Sequence, residues 1–259
     1  MSSDSEIKAL VQSQFGGSGD AYVTSPGHAA GDDLVRMIEL AETDANAVAV
    51  DIATGGGHVA KELALRCGQV VASDLTQQML DAARSFITEL GLNNVQFELA
   101  DAESLPFADA MFDIVTCRIA PHHFPNPDRF IDESARVLRA GGRFVLIDTT
   151  VPPGNPGIRY NEFEKVRDPS HVRSLTVDEW SSLIEDAGLI LEKVEQFRKR
   201  HIFRDWALRA RLPEAQLPGL ARLLIEGGSE MEAVVDIERE GEQLIAFSDQ
   251  KSLFLARKP

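Results

Sequence analysis

Short apolar runs alternate with amphipathic segments along the chain between residues 47 and 148. The apolar runs predict five strands, at 47–50, 70–72, 95–99, 112–117 and 144–147. Apolar residues at helical spacing predict intervening helices at 59–65, 79–90 and 130–138. A strand–helix alternation of this kind is typical of a parallel sheet with helices on both faces. The predicted fold class is therefore α/β, with a doubly wound sheet.

The segments outside this region follow other patterns. Helical spacing predicts helices at 32–41, 158–166 and 176–187, and more broken helical structure at 203–226. Further strands are predicted at 189–197 and 244–255, the latter as one long strand or a pair. With no internal repeat, we predict a single domain over 1–259. Its core covers about 46–150 and 176–259, its cap 1–45 and 151–175, and part of 203–240 is a further candidate for the cap.

Composition limits the classes of partner. The chain has 259 residues, with 26 Lys and Arg against 41 Asp and Glu, so its formal net charge is −15. This acidic balance argues against a nucleic-acid partner or an anionic membrane surface, which need clustered cations. We also expect no membrane span and a cytoplasmic location, because no apolar run approaches the roughly 18 residues that a span needs. Two cysteines without paired ligand spacing predict no metal site. A monomer and a homodimer both stay open.

A glycine-rich loop lies between the first predicted strand and the helix that follows it. Gly55, Gly57 and Ala60 match the G-x-G-x-x-A pattern of dinucleotide sites, which lets a ligand approach the backbone closely. Asp51, however, stands at the strand end just before this loop, where a carboxylate would repel a pyrophosphate. The same carboxylate suits a ligand that carries an ammonium or sulfonium group.

Two further strand ends carry acids that suit an adenosine. Asp74 follows the second strand, where a carboxylate accepts hydrogen bonds from both ribose hydroxyls. Asp101 and Ala102 follow the third strand, where a carboxylate and a backbone amide would read the N6 and N1 positions of adenine. Ligands of open α/β sheets bind at this edge. Adenosine plus a cation indicates S-adenosylmethionine rather than NAD.

From about Val48 to Asp148 the sequence resembles the class I S-adenosylmethionine-dependent methyltransferases. The matching motifs are the loop after Asp51, the acid Asp74, the segment 101–107, the strand 112–115 and the turn 136–142. Within the family the chain is most similar to the small-molecule branch, which resembles the quinone-biosynthesis C-methyltransferases and has a type 11 methyltransferase domain. The resemblance implies a Rossmann-like, seven-stranded, mostly parallel sheet with an antiparallel last strand and a helical cap. It also implies S-adenosyl-L-methionine as cofactor, S-adenosyl-L-homocysteine as product, and no metal.

These observations together predict the site residues. The predicted cofactor-binding residues are Asp51, Ala53, Thr54, Gly55, Gly57, Asp74, Leu75, Asp101, Ala102, Glu103, Arg118 and His123. The predicted residues around a small-molecule acceptor are Tyr22, His28, Phe124, Tyr160 and Phe163. The available acid–base groups are His122, His123, Tyr160 and His171, with no choice among them at this stage.

Three points stay open in the sequence. The basic run at 198–211 predicts a solvated face, with an anionic acceptor as the alternative, and it is expected to approach the site only through the cap. Arg118 is expected to be the only permanent cation at the mouth of the site. An NAD-dependent oxidoreductase and a non-catalytic S-adenosylmethionine-binding protein are the rival functions.

Overall fold

A computed structural model describes residues 3–16 and 31–259 of the chain. The strands are β1 Val48–Ile52, β2 Gln69–Asp74, β3 Val95–Leu99, β4 Phe112–Arg118, β5 Leu138–Thr149, β6 Ile190–Ile202, β7 Asp236–Glu240 and β8 Gln243–Arg257. The α-helices are α1 Asp4–Phe15, α2 Asp32–Ala41, α3 His58–Ala64, α4 Gln77–Glu89, α5 Pro127–Val137, α6 Asn155–Arg167, α7 Val177–Asp186, α8 Phe203–Arg209, α9 Leu217–Glu226 and α10 Gly228–Glu232. None of the helices in these described ranges is both long enough and apolar enough to cross a bilayer.

The strands form one twisted sheet in the order β3-β2-β1-β4-β5-β8-β6, as the α/β prediction requires. β1 to β5 pair in parallel, whereas β8 runs antiparallel to both β5 and β6, so the predicted antiparallel last strand is confirmed. An eighth strand, β7, adds to the predicted seven. β8 pairs with β5 only over 251–257, and its first half therefore leaves an edge that β7 covers at 243–248.

Helices cover both faces of the sheet. Strand residues alternate between the two faces, because successive side chains of a strand point in opposite directions. In β5, Phe144 and Leu146 pack with α5 and α7, whereas Val145 and Ile147 pack with α2 and α3. This doubly wound arrangement leaves the carboxyl ends of the parallel strands uncovered by the two helical layers.

A third apolar cluster builds the cap over those strand ends. It joins α6 to α8, α9 and α10, with Phe247 of β8 at its base. The cap therefore uses 155–167 and the candidate segment 203–240. The prediction that residues up to 45 belong to the cap needs correction for α2, since Leu34, Met37 and Ile38 pack in the core against the sheet.

Local sequence explains where the cap and core meet. Thr176 and Glu179 form a capping box, in which each side chain accepts from the other residue's backbone amide, and α7 begins at Val177, directly after Thr176. The predicted strand at 189–197 continues five residues further, to Ile202. This extension stays paired with β8 at 246–250 and carries β6 up to the cap, where α8 begins at Phe203.

Candidate functional site

A cavity of about 420 Å³ lies at the carboxyl ends of β1, β2 and β4, under the cap. One end is formed by the loops after these strands and by α1, which contributes Val11 and Phe15. The other end is formed by the far part of β6, by β8 and by α6 and α8. The volume falls in the roughly 300–1,000 Å³ range of small-molecule sites.

The glycine loop leaves an open cradle beside β1. Gly55 adopts a left-handed φ of +55°, and an added Cβ would meet only the Met79 Cε, at 3.9 Å. Asp74 fixes this loop from the next strand: its Oδ2 accepts from the Gly55 amide at 3.0 Å and its Oδ1 from the Thr76 amide at 2.9 Å. The predicted contacts Ala53, Thr54 and Leu75 also line the cavity.

Gly57 has a different task from Gly55. Its φ is +82°, and an added Cβ would lie 3.0 Å from the Ala83 Cβ and 3.1 Å from the Ile87 Cδ1. Gly57 does not line the cavity among the described residues. The predicted cofactor contact is therefore corrected to a packing role, because Gly57 lets the start of α3 approach α4.

Asp51 is buried at the cavity floor, where its side chain is held by two hydroxyl groups. Thr54 Oγ1 donates to its Oδ2 at 2.7 Å and Thr116 Oγ1 to its Oδ1 at 2.8 Å. Burial raises the pKa of Asp51 to about 6, and burial raises the pKa of Asp74 to about 6 as well. Both carboxylates thus sit where a positively charged or hydroxyl-bearing ligand would favour their ionised form.

The acids after β3 are bridged to α1 by one lysine. Lys8 Nζ donates to Asp101 Oδ2 at 2.7 Å and to Glu103 Oε2 at 2.6 Å. Glu103 also accepts from the Asn126 backbone amide at 2.7 Å, so this buried side chain ties three segments together. Asp101, Ala102 and Glu103 all line the cavity, and Lys8 closes that end of it.

Arg118 and a second cation share one carboxylate at the end of β4. Arg118 donates to Asp33 Oδ2 from Nε at 2.9 Å and from Nη2 at 2.6 Å, and Lys199 Nζ lies 3.4 Å from the same oxygen. Burial lowers the pKa of Lys199 to about 8. Burial acts to raise the pKa of Asp33, but Arg118 and Lys199 lower it overall. The expectation that Arg118 is the only permanent cation at this mouth is therefore wrong.

Three histidines surround the cavity between the two ends. His122 and His123 lie on a short 3-10 turn after β4, and His171 lies in the loop after α6. The ring centroids of His122 and His123 are 4.3 Å apart, and those of His122 and His171 are 5.5 Å apart. Phe124, at the end of the same turn, also lines the cavity. The three predicted imidazoles thus come together at one place.

Two predicted acceptor residues lie elsewhere. Tyr160 and Phe163 are fully buried in the cap's apolar cluster and do not line the cavity among the described residues. Phe163 stacks on Trp206, with 5.4 Å between ring centroids. The Tyr160 hydroxyl oxygen lies 2.9 Å from Glu164 Oε1 and 2.8 Å from Asp249 Oδ2, so its single proton is donated to one of these carboxylates. Burial beside these acids raises the pKa of Tyr160 well above the usual value. The acid–base and acceptor roles predicted for them are replaced by structural ones. The other two predicted acceptor residues, Tyr22 and His28, lie outside the described residues.

The cap end of the cavity contains residues that the sequence did not indicate. Lys199 and His201 of β6 line the cavity, although the basic run was expected to approach only through the cap. Strand alternation explains this: 197, 199 and 201 are less exposed than 198 and 200. Lys251 of β8 donates to Thr149 Oγ1 at 2.6 Å and to Asp249 Oδ2 at 2.8 Å. Residues 198–201 are all polar, so the sequence contained no alternation that would show which of them face inward.

The donor set fits an adenosyl cofactor with a cationic centre. A cradle with room for a Cβ lies beside Gly55, a carboxylate at Asp74 faces it, and a backbone amide at Ala102 stands next to Asp101. The buried Asp51 supplies negative potential at the loop. Within residues 3–16 and 31–259 no group of three His, Cys, Asp or Glu side chains is arranged to hold a metal ion.

Comparisons with known proteins identify the family. A family model described as a methyltransferase domain matches residues 50–146. The uncharacterized methyltransferase YcgJ of Bacillus subtilis is 34% identical over 203 residues, covering 78% of this chain and 80% of that protein. The crystal structure of YcgJ has a TM-score of 0.81 to this chain at 32% identity, and the match covers 87% of this chain and 97% of that one.

Two further similarities agree with this. A Bacillus halodurans protein whose crystal structure is described as that of a methyltransferase has a TM-score of 0.84 at 39% identity, with 88% of this chain and 100% of that chain covered. Demethylmenaquinone methyltransferase of Deinococcus radiodurans is 42% identical over 111 residues, which are 42% of this chain and 45% of that protein. Fold, cavity and relatives lead to one conclusion: this chain belongs to the class I S-adenosylmethionine-dependent methyltransferases.

Proposed function

We propose that the protein transfers a methyl group from S-adenosylmethionine to a small polar acceptor that binds at the cap end of the cavity. The observation that carries this proposal is the division of one cavity into two chemically different ends. The strand-end acids Asp51, Asp74 and Asp101 lie at one end, Lys199 and Lys251 lie at the other, and the three histidines lie between them.

The first end supplies the contacts that an adenosyl cofactor needs. Asp74 would accept from the ribose hydroxyls, and Asp101 with the Ala102 amide would hold the adenine edge. Arg118 at the end of β4 lines the cavity beside these acids, and its positive charge suits the cofactor's carboxylate. When bound, S-adenosylmethionine supplies a methyl group on a sulfonium, and S-adenosylhomocysteine would be the product.

The second end favours a small acceptor over a macromolecule. Its walls come from the cap and from β6, so an acceptor would be enclosed, and enclosure excludes water and aligns the reacting atoms. The walls are more polar than the aromatic residues of the sequence suggested, because Tyr160 and Phe163 turn into the cap instead. A relative named for methylating demethylmenaquinone is consistent with a small-molecule acceptor.

Calorimetric titration with S-adenosylmethionine, S-adenosylhomocysteine and NAD tests the cofactor half of the proposal. We expect micromolar binding of the two adenosyl ligands and none of NAD. The reverse order would favour the oxidoreductase alternative. Binding of S-adenosylmethionine without methyl transfer to any fraction of a metabolite pool would favour a non-catalytic binding protein.

A further inference from the structure

His122 is paired with a buried carboxylate, that of Asp148. His122 Nδ1 lies 2.7 Å from Asp148 Oδ1, and Asp148 at the end of β5 has no exposed surface. The other Asp148 side-chain oxygen, Oδ2, is buried with no hydrogen-bond partner in the described part of the chain. A buried carboxylate costs free energy unless its charge is used, which makes this pair a candidate for function.

Two hydrogen bonds hold the backbone of His122 in place, and Asp148 holds its ring. The His122 carbonyl accepts from the Val172 amide at 2.9 Å and from the Arg173 amide at 3.1 Å, which joins the turn after β4 to the loop after α6. With Nδ1 donating to Asp148, the other ring nitrogen, Nε2, is the one that accepts a proton. His122 lines the cavity, and Nε2 makes no hydrogen bond within residues 3–16 and 31–259.

The two neighbouring histidines differ from His122 in their partners. His123 Nδ1 donates to the Ser170 carbonyl at 3.0 Å, and His171 Nε2 donates to Asn161 Oδ1 at 2.8 Å. Both partners are neutral, so neither stabilises an imidazolium as a carboxylate does. His122 also follows β4, which lies beside β1 in the sheet, and so stands next to the loop proposed to hold the cofactor.

Resting on the proposed function, we infer that His122 is the general base of the methyl transfer, positioned by Asp148, and that the acceptor carries a proton on its nucleophilic atom. The acceptor is thus a hydroxyl compound or an acidic N–H or C–H compound, rather than a thioether or tertiary amine. The acceptor's bond to hydrogen breaks and its proton goes to Nε2. The released electron pair forms the bond to the methyl carbon, and the carbon–sulfur pair stays on sulfur.

Charge around the pair favours a base that is neutral at rest. Burial lowers the pKa of His122 well below its usual value, and burial raises the pKa of Asp148 to about 7. The titratable and charged groups that face the pair are His123, Glu164, Asp168, His171 and Lys251. Above about pH 7 the pair holds a single proton, on Nδ1, and Nε2 is free to accept. Below about pH 7 Asp148 takes up a proton, whereas burial keeps the His122 imidazole neutral, and the uncharged carboxyl no longer stabilises the imidazolium that the transfer would form.

Imidazole NMR tests the pair without an acceptor, using the full chain labelled with ¹⁵N and His122→Gln for assignment. We expect His122 to carry its proton on Nδ1 at pH 8.5. Its ring signals should report the titration of Asp148, with a midpoint near pH 7 that is lost in Asp148→Asn. A proton on Nε2 at pH 8.5, or a midpoint and tautomer unchanged in Asp148→Asn, would overturn the inference. These measurements do not depend on the proposed function. If the proposed function is wrong, the wild-type protein will not bind S-adenosylhomocysteine.

Turnover with a panel of small phenols, thioethers and tertiary amines tests the acceptor class. We expect methylated phenols only, with kcat lowered roughly 100- to 10,000-fold in His122→Gln, the usual contribution of a general base. Affinity for S-adenosylhomocysteine should stay within about threefold of wild type, the difference of under 1 kcal/mol expected when no cofactor contact is lost. His171→Gln is the matched control, and its kcat should still fall below about pH 7. Methylation of thioethers would refute the inference. A fall of kcat below about pH 7 that is absent in His171→Gln but present in His122→Gln would refute it as well.

Discussion

Replacing Asp74 should weaken cofactor binding, because Asp74 is the carboxylate proposed to hold the ribose hydroxyls. In the structure Asp74 accepts from the Gly55 and Thr76 amides, and a ribose would add hydroxyl donors to the same carboxylate. A hydrogen bond to a charged group contributes about 1.5–3 kcal/mol. Asp74→Ala should therefore cost about 2–3 kcal/mol of binding free energy, which is roughly a 30- to 150-fold loss of affinity.

The assay is calorimetric titration with S-adenosylhomocysteine, beside a denaturant melt of each variant. Asp74→Ala also leaves two loop amides without their acceptor, so the free energy of unfolding should fall by about 1–3 kcal/mol for each amide that stays buried. Asp74→Asn is the matched control, because its amide oxygen keeps one acceptor without the charge, and it should fall between wild type and Asp74→Ala. A folded Asp74→Ala that binds with wild-type affinity would refute the assignment of Asp74 to the ribose.

Three further predictions follow from the same geometry. Burial raises the pKa values of Asp51 and Asp74 to about 6, so affinity for S-adenosylhomocysteine should be constant above about pH 7 and fall as pH drops through 6, where the carboxylates are protonated. An affinity that does not change between pH 5 and 8 in isothermal titrations would contradict this. Lys8→Met should speed amide hydrogen exchange in α1, which Lys8 ties to Asp101 and Glu103, whereas exposed Lys165→Met should not; equal exchange in both variants would show that α1 is held by other contacts. Gly57→Ala should lower the free energy of unfolding by about 1–3 kcal/mol more than Gly91→Ala in denaturant melts, because both glycines have positive φ but only Gly57 faces close neighbours; equal losses would remove the packing role.

The α/β core could be predicted because its signals are local. Each core strand is a short apolar run bounded by a turn, and each helix shows one apolar face, so neighbouring residues suffice to recognise them. The acids at the strand ends were predicted for the same reason: Asp51 and Asp74 follow directly from where their strands stop. In the structure both line one cavity.

Other contacts in and around the cavity could not be predicted because they are long-range. Lys8 meets Asp101 across 93 positions of the chain, and Tyr160 meets Asp249 across 89. A basic run resembles a solvated face until its strand alternation is known, and β6 turns Lys199 inward but leaves Arg198 exposed. The sequence alone does not show which way an aromatic side chain points. Phe163 faces Trp206 because α8 packs against α6.

Transfer of label from methyl-labelled S-adenosylmethionine tests the central claim most directly. Purified protein is incubated with labelled cofactor and an extract, and the products are divided by ultrafiltration into small molecules and macromolecules. We predict protein-dependent label in the small-molecule fraction, reduced to background in Asp74→Ala at low cofactor concentration. Label that enters RNA or protein instead, with none in the small-molecule fraction, would contradict a small-molecule methyltransferase.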